Sequence, residues 1–222
     1  MSLWIKICGN TSLEDALLAA DAGADAVGFV FAPSPRQVTA EQVAAITAHL
    51  PAQIEKIGVF VDAPLAQIIN TVAQSGLTGV QLHSEVDREA VAQVRARLGP
   101  QFRILRVVQF ASEAADRVQA LSLDPAIDGV LVDSRTATAA GGTGIAFDWS
   151  SAAATVFQGT NKPLIVAGGL NPANVQEAIA TLRPWGVDVV SGVEAAPGRK
   201  DPTKVRAFVA NARAATRASR LA

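Results

Sequence analysis

Eight short apolar runs, each followed by a stretch with helical spacing, recur at near-even intervals along the chain. The runs are Leu3–Cys8, Ala24–Phe31, Ile54–Val61, Gly79–His83, Phe102–Val108, Gly129–Asp133, Lys162–Ala167 and Val187–Ser191. They are continuous rather than alternating, the pattern of strands buried on both faces of a parallel sheet. The stretches between them predict helices at Leu13–Ala20, Ala40–Leu50, Leu65–Ser75, Glu85–Leu98, Glu113–Leu121, Asp148–Phe157, Pro172–Leu182 and Pro202–Thr216. Thr11 or Ser12 can cap the first helix, with Asp15 three positions after Ser12, and Gly23 can end it. Eight such units favour a closed (β/α)8 TIM barrel over an open doubly wound sheet. Weak internal similarity supports one repeated unit: Gly23-Ala-Asp-Ala-Val-Gly, Ala126-Ile-Asp-Gly-Val-Leu and Gly186-Val-Asp-Val-Val-Ser each set an Asp just before an apolar run. No linker or composition break interrupts the pattern, so residues 1–222 are expected to form a single domain.

Charge and cysteine content narrow the function. The net charge of -1 leaves no electrostatic footprint for nucleic acid or an anionic membrane. No window approaches the ~18 uninterrupted apolar residues of a membrane span, and the start, Met-Ser-Leu-Trp-Ile-Lys, has no basic region leading into a long apolar run. The expectation is a cytoplasmic protein. Cys8 is the only cysteine, so an intrachain disulfide and a Cys-rich metal site are both excluded. Arg213, Arg217 and Arg220 read as a solvated basic helix face.

In such a barrel the active site lies at the C-terminal ends of the strands. Those ends carry Cys8, the Pro33-Ser-Pro-Arg36 turn, Val61-Asp62, Gln81 with His83, Arg106 with Gln109, Asp133, Gly168-Gly169 and Ser191-Gly-Val-Glu194. Cys8 and Asp133 end the first and sixth strands and can face each other across the mouth. A thiolate can remove a proton and a carboxylic acid can donate one. A free thiol titrates near 8.5, so little is thiolate at neutral pH unless the site depresses it. Three late loops hold glycine clusters: Gly141, Gly142 and Gly144; Gly168 and Gly169; and Gly192. Glycine lets backbone N–H groups approach an anion, and barrels commonly bind phosphate at the loops after strands seven and eight. Arg36 offers a guanidinium for a substrate carboxylate. A lone His83 does not make a metal site, and none is expected.

The motifs Lys6-Ile-Cys-Gly-Asn-Thr11, Gly28-Phe-Val-Phe-Ala-Pro-Ser-Pro-Arg36, Gly58-Val-Phe-Val61, Val80-Gln-Leu-His83, Val130-Leu-Val-Asp-Ser134, Gly141-Gly-Thr-Gly144, Ala167-Gly-Gly-Leu170, Val187-Asp-Val-Val-Ser-Gly-Val-Glu194 and Pro197-Gly-Arg-Lys-Asp201 occur in this order. Together they resemble the phosphoribosylanthranilate isomerases of tryptophan biosynthesis, over residues 4 to about 210. The resemblance implies a cofactor-free Amadori rearrangement of a phosphorylated small molecule by a monomer or homodimer. It implies Asp133 as the general acid at the furanose ring oxygen and Cys8 as the general base at the sugar C2. By the same resemblance Gly144, Gly169, Ser191 and Gly192 hold the phosphate, beside Gly168, and Arg36 holds the anthranilate carboxylate. His83, Gly142, Gly144 and Asp188 join the substrate-binding set on the same ground. Two departures stand out: Ser84 replaces the glycine usual after Gln-Leu-His, and Arg135–Ala140 is rich in Ala and Thr. The alternatives are a dual-substrate isomerase that also takes the histidine-pathway substrate, and a non-catalytic barrel that binds a phosphorylated metabolite.

Overall fold

The computed structural model describes residues 3–83, 87–133, 149–158 and 160–218. Eight parallel strands close into a barrel: β1 (Trp4–Ile7), β2 (Ala26–Val30), β3 (Glu55–Phe60), β4 (Gly79–Leu82), β5 (Arg103–Gln109), β6 (Gly129–Asp133), β7 (Leu164–Ala167) and β8 (Gly186–Val189). β8 pairs back onto β1, with Lys6 opposite Asp188. The helices between and after them are α1 (Leu13–Asp21), α2 (Ala40–Thr47), α3 (Leu65–Ser75), α4 (Arg88–Leu98), α5 (Ala114–Ser122), α6 (Trp149–Thr155), α7 (Val175–Leu182) and α8 (Pro202–Ala218).

Local signals account for the helix ends. The Ser12 hydroxyl accepts from the Asp15 backbone N–H and starts α1. Thr39 and Gln42 form a reciprocal capping box on α2. α3 stops at Gly76 in the left-handed conformation. The expected Glu85 start of the fourth helix lies outside the described residues, and α4 begins after its cap, Asp87.

The continuous apolar runs divide between two cores. One side of each strand packs under the helices, through Ile5, Ile7, Val27, Phe29, Ile104, Val108, Val130, Val132, Val187 and Val189. The alternate side fills the lumen, through Trp4, Ala26, Ile57, Leu105, Val107, Leu131, Ile165 and Ala167. That alternation turns Lys6, Gln81, Asp133 and Asp188 inward with the lumen set. It puts Arg106, between Ile104 and Val108, on the outward face.

At the end where the strands begin, Trp4 and Trp185 stack with centroids 5.4 Å apart. The Arg103 guanidinium lies over both rings, and Glu55 takes it in a two-point ion pair.

Three expectations need correction. The eighth strand ends at Val189, because Val190 (φ -121°, ψ -87°) leaves the extended region and Ser191–Val193 forms a 3-10 turn. An unforeseen antiparallel hairpin follows, β9 (Glu194–Ala196) and β10 (Arg199–Lys200). Arg213 is no solvated charge: it pairs with Asp25 at 2.7 Å and donates to the carbonyls of Gly23 and Leu3. Its planar fork joins α8 to the start of β1 and to the residue before β2. The Arg217 side chain and Arg220 lie outside the described residues.

Candidate active site

Cys8 follows β1 at the C-terminal end of the barrel and is 3 % exposed. Its thiol has room because residue 28 on β2 is glycine: a Cβ there would stand 2.4 Å from Cys8 Sγ. Asn10 ties the two strand ends together by donating to the carbonyls of Ile7 and Gly28. Below the thiol, Lys6 is wholly buried and reaches Asp188 at 3.1 Å. Burial alone lowers the Lys6 pKa, but the charge and hydrogen bond of Asp188, with the neighbouring Cys8, outweigh it and hold Lys6 above its ordinary value. The Cys8 thiol is pushed up, first by burial and further by Asp188, against the pull of Lys6 and Lys200. The free site therefore keeps Cys8 as a thiol rather than depressing its pKa.

The hairpin folds over the end of β1 and fixes Cys8 from its backbone side. Lys200 Nζ donates to the Cys8 carbonyl at 2.5 Å and to Glu194 Oε1 at 3.2 Å. The Lys200 backbone N–H meets Asp15 on α1, and Thr11 donates to the Gly198 carbonyl. Burial lowers the Lys200 pKa despite Glu194.

Glu194 also takes Arg36, at 2.8 Å from Nε and 2.6 Å from Nη2. Burial pushes the Glu194 pKa up, yet the hydrogen bonds and charges of Arg36 and Lys200 prevail and lower it. Glu194 thus occupies the Nε–Nη2 edge of Arg36, so a second two-point partner has to use the Nη1–Nη2 edge.

Asp133 ends β6, faces the lumen side and is 4 % exposed. In register it lies opposite Ala167 on β7. His83 follows β4, half-buried, with Nε2 2.8 Å from Gln81 Nε2. Asp188 lies deeper in the lumen, on the Lys6 rung.

The loops after β7 and β8 run in direct contact. Gly168 and Gly169 both take left-handed backbone (φ 83° and 65°). A Cβ on Gly192 would fall 1.9 Å from the Leu170 carbonyl oxygen, so only glycine permits that approach. Gly168, Gly169, Ser191 and Gly192 are thereby gathered at one place on the rim. Gly142 and Gly144 lie outside the described residues. Lys6, Lys200 and Glu194 were not singled out as site residues from the sequence. All three are charges buried by partners remote in the chain, and lysine is ordinarily exposed.

The family described as N-(5'-phosphoribosyl)anthranilate (PRA) isomerase matches residues 5–211. The chain belongs to the PRA isomerase family. It is 44% identical over 215 residues to a protein of Geobacter metallireducens named N-(5'-phosphoribosyl)anthranilate isomerase, covering 95% of this chain and 98% of that one. Its fold is similar to the crystal structure of phosphoribosyl anthranilate isomerase from Thermotoga maritima, with TM-score 0.84, 37% identity, and coverage of 96% of this chain and 99% of that chain. A phosphoribosyl anthranilate isomerase in complex with reduced 1-(o-carboxyphenylamino)-1-deoxyribulose 5-phosphate matches with TM-score 0.81 and 35% identity, again over 96% and 99%.

Among the described residues no group of three or more His, Cys, Asp and Glu could hold a metal ion, and no helix is long and apolar enough to cross a membrane.

Proposed function

We propose that the chain is an N-(5'-phosphoribosyl)anthranilate isomerase working without a cofactor at the C-terminal mouth of its barrel. Family membership over residues 5–211 is the observation that carries the reading. The phosphorylated ligand of the matched isomerase complex supports a phosphate site here. The phosphate goes to the rim formed by Gly168, Gly169, Ser191 and Gly192, with Gly142 and Gly144 from the preceding loop. Arg36 takes the anthranilate carboxylate. His83 and Asp188 complete the substrate surroundings, His83 at the rim and Asp188 from below through Lys6.

The reaction then needs two proton carriers. Asp133 gives a proton to the furanose ring oxygen, and the bond from that oxygen to C1 breaks to leave a protonated imine. Cys8 takes the proton from C2, whose electrons form the enolamine. Protonation at C1 and loss of the C2 hydroxyl proton give 1-(2-carboxyphenylamino)-1-deoxyribulose 5-phosphate, with no external oxidant or reductant. A thiol held above its ordinary pKa in the free enzyme suits this order. The imine cation formed in the first step both acidifies C2–H and favours the thiolate beside it. Each positioned proton transfer is worth roughly 10²–10⁴-fold. One chain carries both groups, so a monomer holds a complete pair and a homodimer holds two. The sequence and charge fit a single-domain protein of the cytoplasm.

The test is a fluorescence assay with freshly generated phosphoribosylanthranilate, without added metal or cofactor. The protein's own emission comes from its three tryptophans, since it has no tyrosine. Turnover that disappears in Asp133→Asn is expected. Folded protein without turnover would overturn the reading and turn attention to the histidine-pathway substrate.

A further inference from the structure

A run of polar side chains crosses the lumen just beneath the mouth. Asp188 on β8 pairs with Lys6 on β1 at 3.1 Å. Lys6 Nζ donates to Gln81 Oε1 on β4. Gln81 Nε2 then stands 2.8 Å from His83 Nε2 at the rim. Lys6, Gln81 and Asp188 are all buried. β4 and β8 are opposite members of the closed ring, so the Lys6 stem carries its charge across the centre of the barrel.

The donor and acceptor capacities of these groups leave one arrangement of protons. An ammonium only donates. Lys6 is held in its charged form by its ion pair with Asp188. The Gln81 atom that meets it must therefore be the carbonyl oxygen, because the flipped amide would set NH2 against an ammonium. That choice turns the amide nitrogen, also purely a donor, toward His83. Two donors cannot share a contact of this length, so His83 Nε2 must be the acceptor and carry no proton. A neutral imidazole with a bare Nε2 has its proton on Nδ1.

We propose that Lys6 is a positioning residue that acts through Gln81 to hold His83 as the neutral Nδ1–H tautomer at the rim of the site. The proposal deepens the isomerase reading and rests on it for the identity of the rim's ligand. His83 is then neither a cation nor a base at Nε2. Its other ring nitrogen can only donate, which suits an oxygen of a sugar phosphate. Proton transfer is left to Cys8 and Asp133.

The chain has two histidines, and His49 is exposed beyond the end of α2. A uniformly 15N-labelled His49→Gln protein therefore has one imidazole to observe. Long-range proton–nitrogen correlation at neutral pH, without substrate, is expected to show a bare, pyridine-type Nε2 and a protonated, pyrrole-type Nδ1, as a single tautomer. A protonated Nε2, alone or in an imidazolium, would overturn the proposal. In Gln81→Glu, added to His49→Gln, the facing group becomes an acceptor, and the proton is expected to appear on Nε2. An unchanged Nδ1–H tautomer in the folded Gln81→Glu protein would also overturn it. Should Gln81→Glu not fold, the spectrum of the His49→Gln protein decides alone. The spectrum needs no substrate, so failure of the isomerase assay and failure of the tautomer assignment are separate results.

Discussion

At the end of the barrel where the strands begin, the partly exposed Arg103 is laid over the Trp4–Trp185 stack and matched by Glu55. At the end where they finish, Lys6, Cys8, Asp133, Asp188, Glu194 and Lys200 are all buried within a few residues of the rim. The first end spends its side chains on contact area. The second gathers desolvated charges, an arrangement that contributes little to stability even when every charge is paired. The contrast teaches that stability and chemistry sit at opposite ends of one barrel, as the architecture allows. Mutations at the two ends should therefore separate activity from stability.

The sharpest break in that division would come from Asp133→Asn. Turnover is expected to vanish while fold and substrate binding survive. Wild-type activity in that variant, measured by the fluorescence assay, would remove Asp133 from the mechanism. Cys8→Ser is expected to keep a small residue of activity, with a loss of at least about 10²-fold for a displaced general base. As the only cysteine, Cys8 also reports on itself. Its thiol is held up by burial first, so alkylation of the free protein should be slow at neutral pH and accelerate as pH rises past the ordinary thiol range. Fast labelling at neutral pH would show that the site does depress this thiol. At the other end, Trp4→Ala should cost about 3–5 kcal/mol in urea unfolding, as large aromatic truncations in cores do. Its kcat should be unchanged wherever the variant is folded; a kcat loss as large as that of Cys8→Ser would erase the contrast.

The smallest effect expected is a pH dependence of stability at the rim. The folded Glu194 pKa lies below its ordinary 4.5, because Arg36 and Lys200 outweigh burial. A lowered carboxylate pKa adds stability that is present above pH 4.5 and is lost as pH falls through the folded value. Thermal unfolding of wild type and Glu194→Gln should therefore converge on acidification below that point. Curves that stay parallel would remove Glu194 from the acid response.

The barrel was legible in the sequence because both faces of every strand are buried, which prints a continuous apolar run for each. The ends of β1, β4 and β6 were legible for the same reason, and they delivered Cys8, His83 and Asp133 to one end. The β8 boundary was misread because Val190 is as apolar as the strand before it, while its backbone turns. The hairpin was hidden because β9 and β10 are too short to carry a periodic signal. Arg36 and Lys200 were legible as charges but not as partners of Glu194. Arg36 lies 158 positions from that carboxylate, and no local rule links them. Lys6 escaped because only the closed ring sets β1 beside β8 and lets the Lys6 side chain reach Gln81 on β4.

The contact from Lys200 to the Cys8 carbonyl spans 192 positions. During vectorial synthesis the thiol is made 192 positions before the group that seats its backbone. A nascent chain can carry Cys8 and Asp133 and still lack the hairpin over β1. Because such long-range contacts form late, the backbone of Cys8 is seated only once the chain through Lys200 has been made.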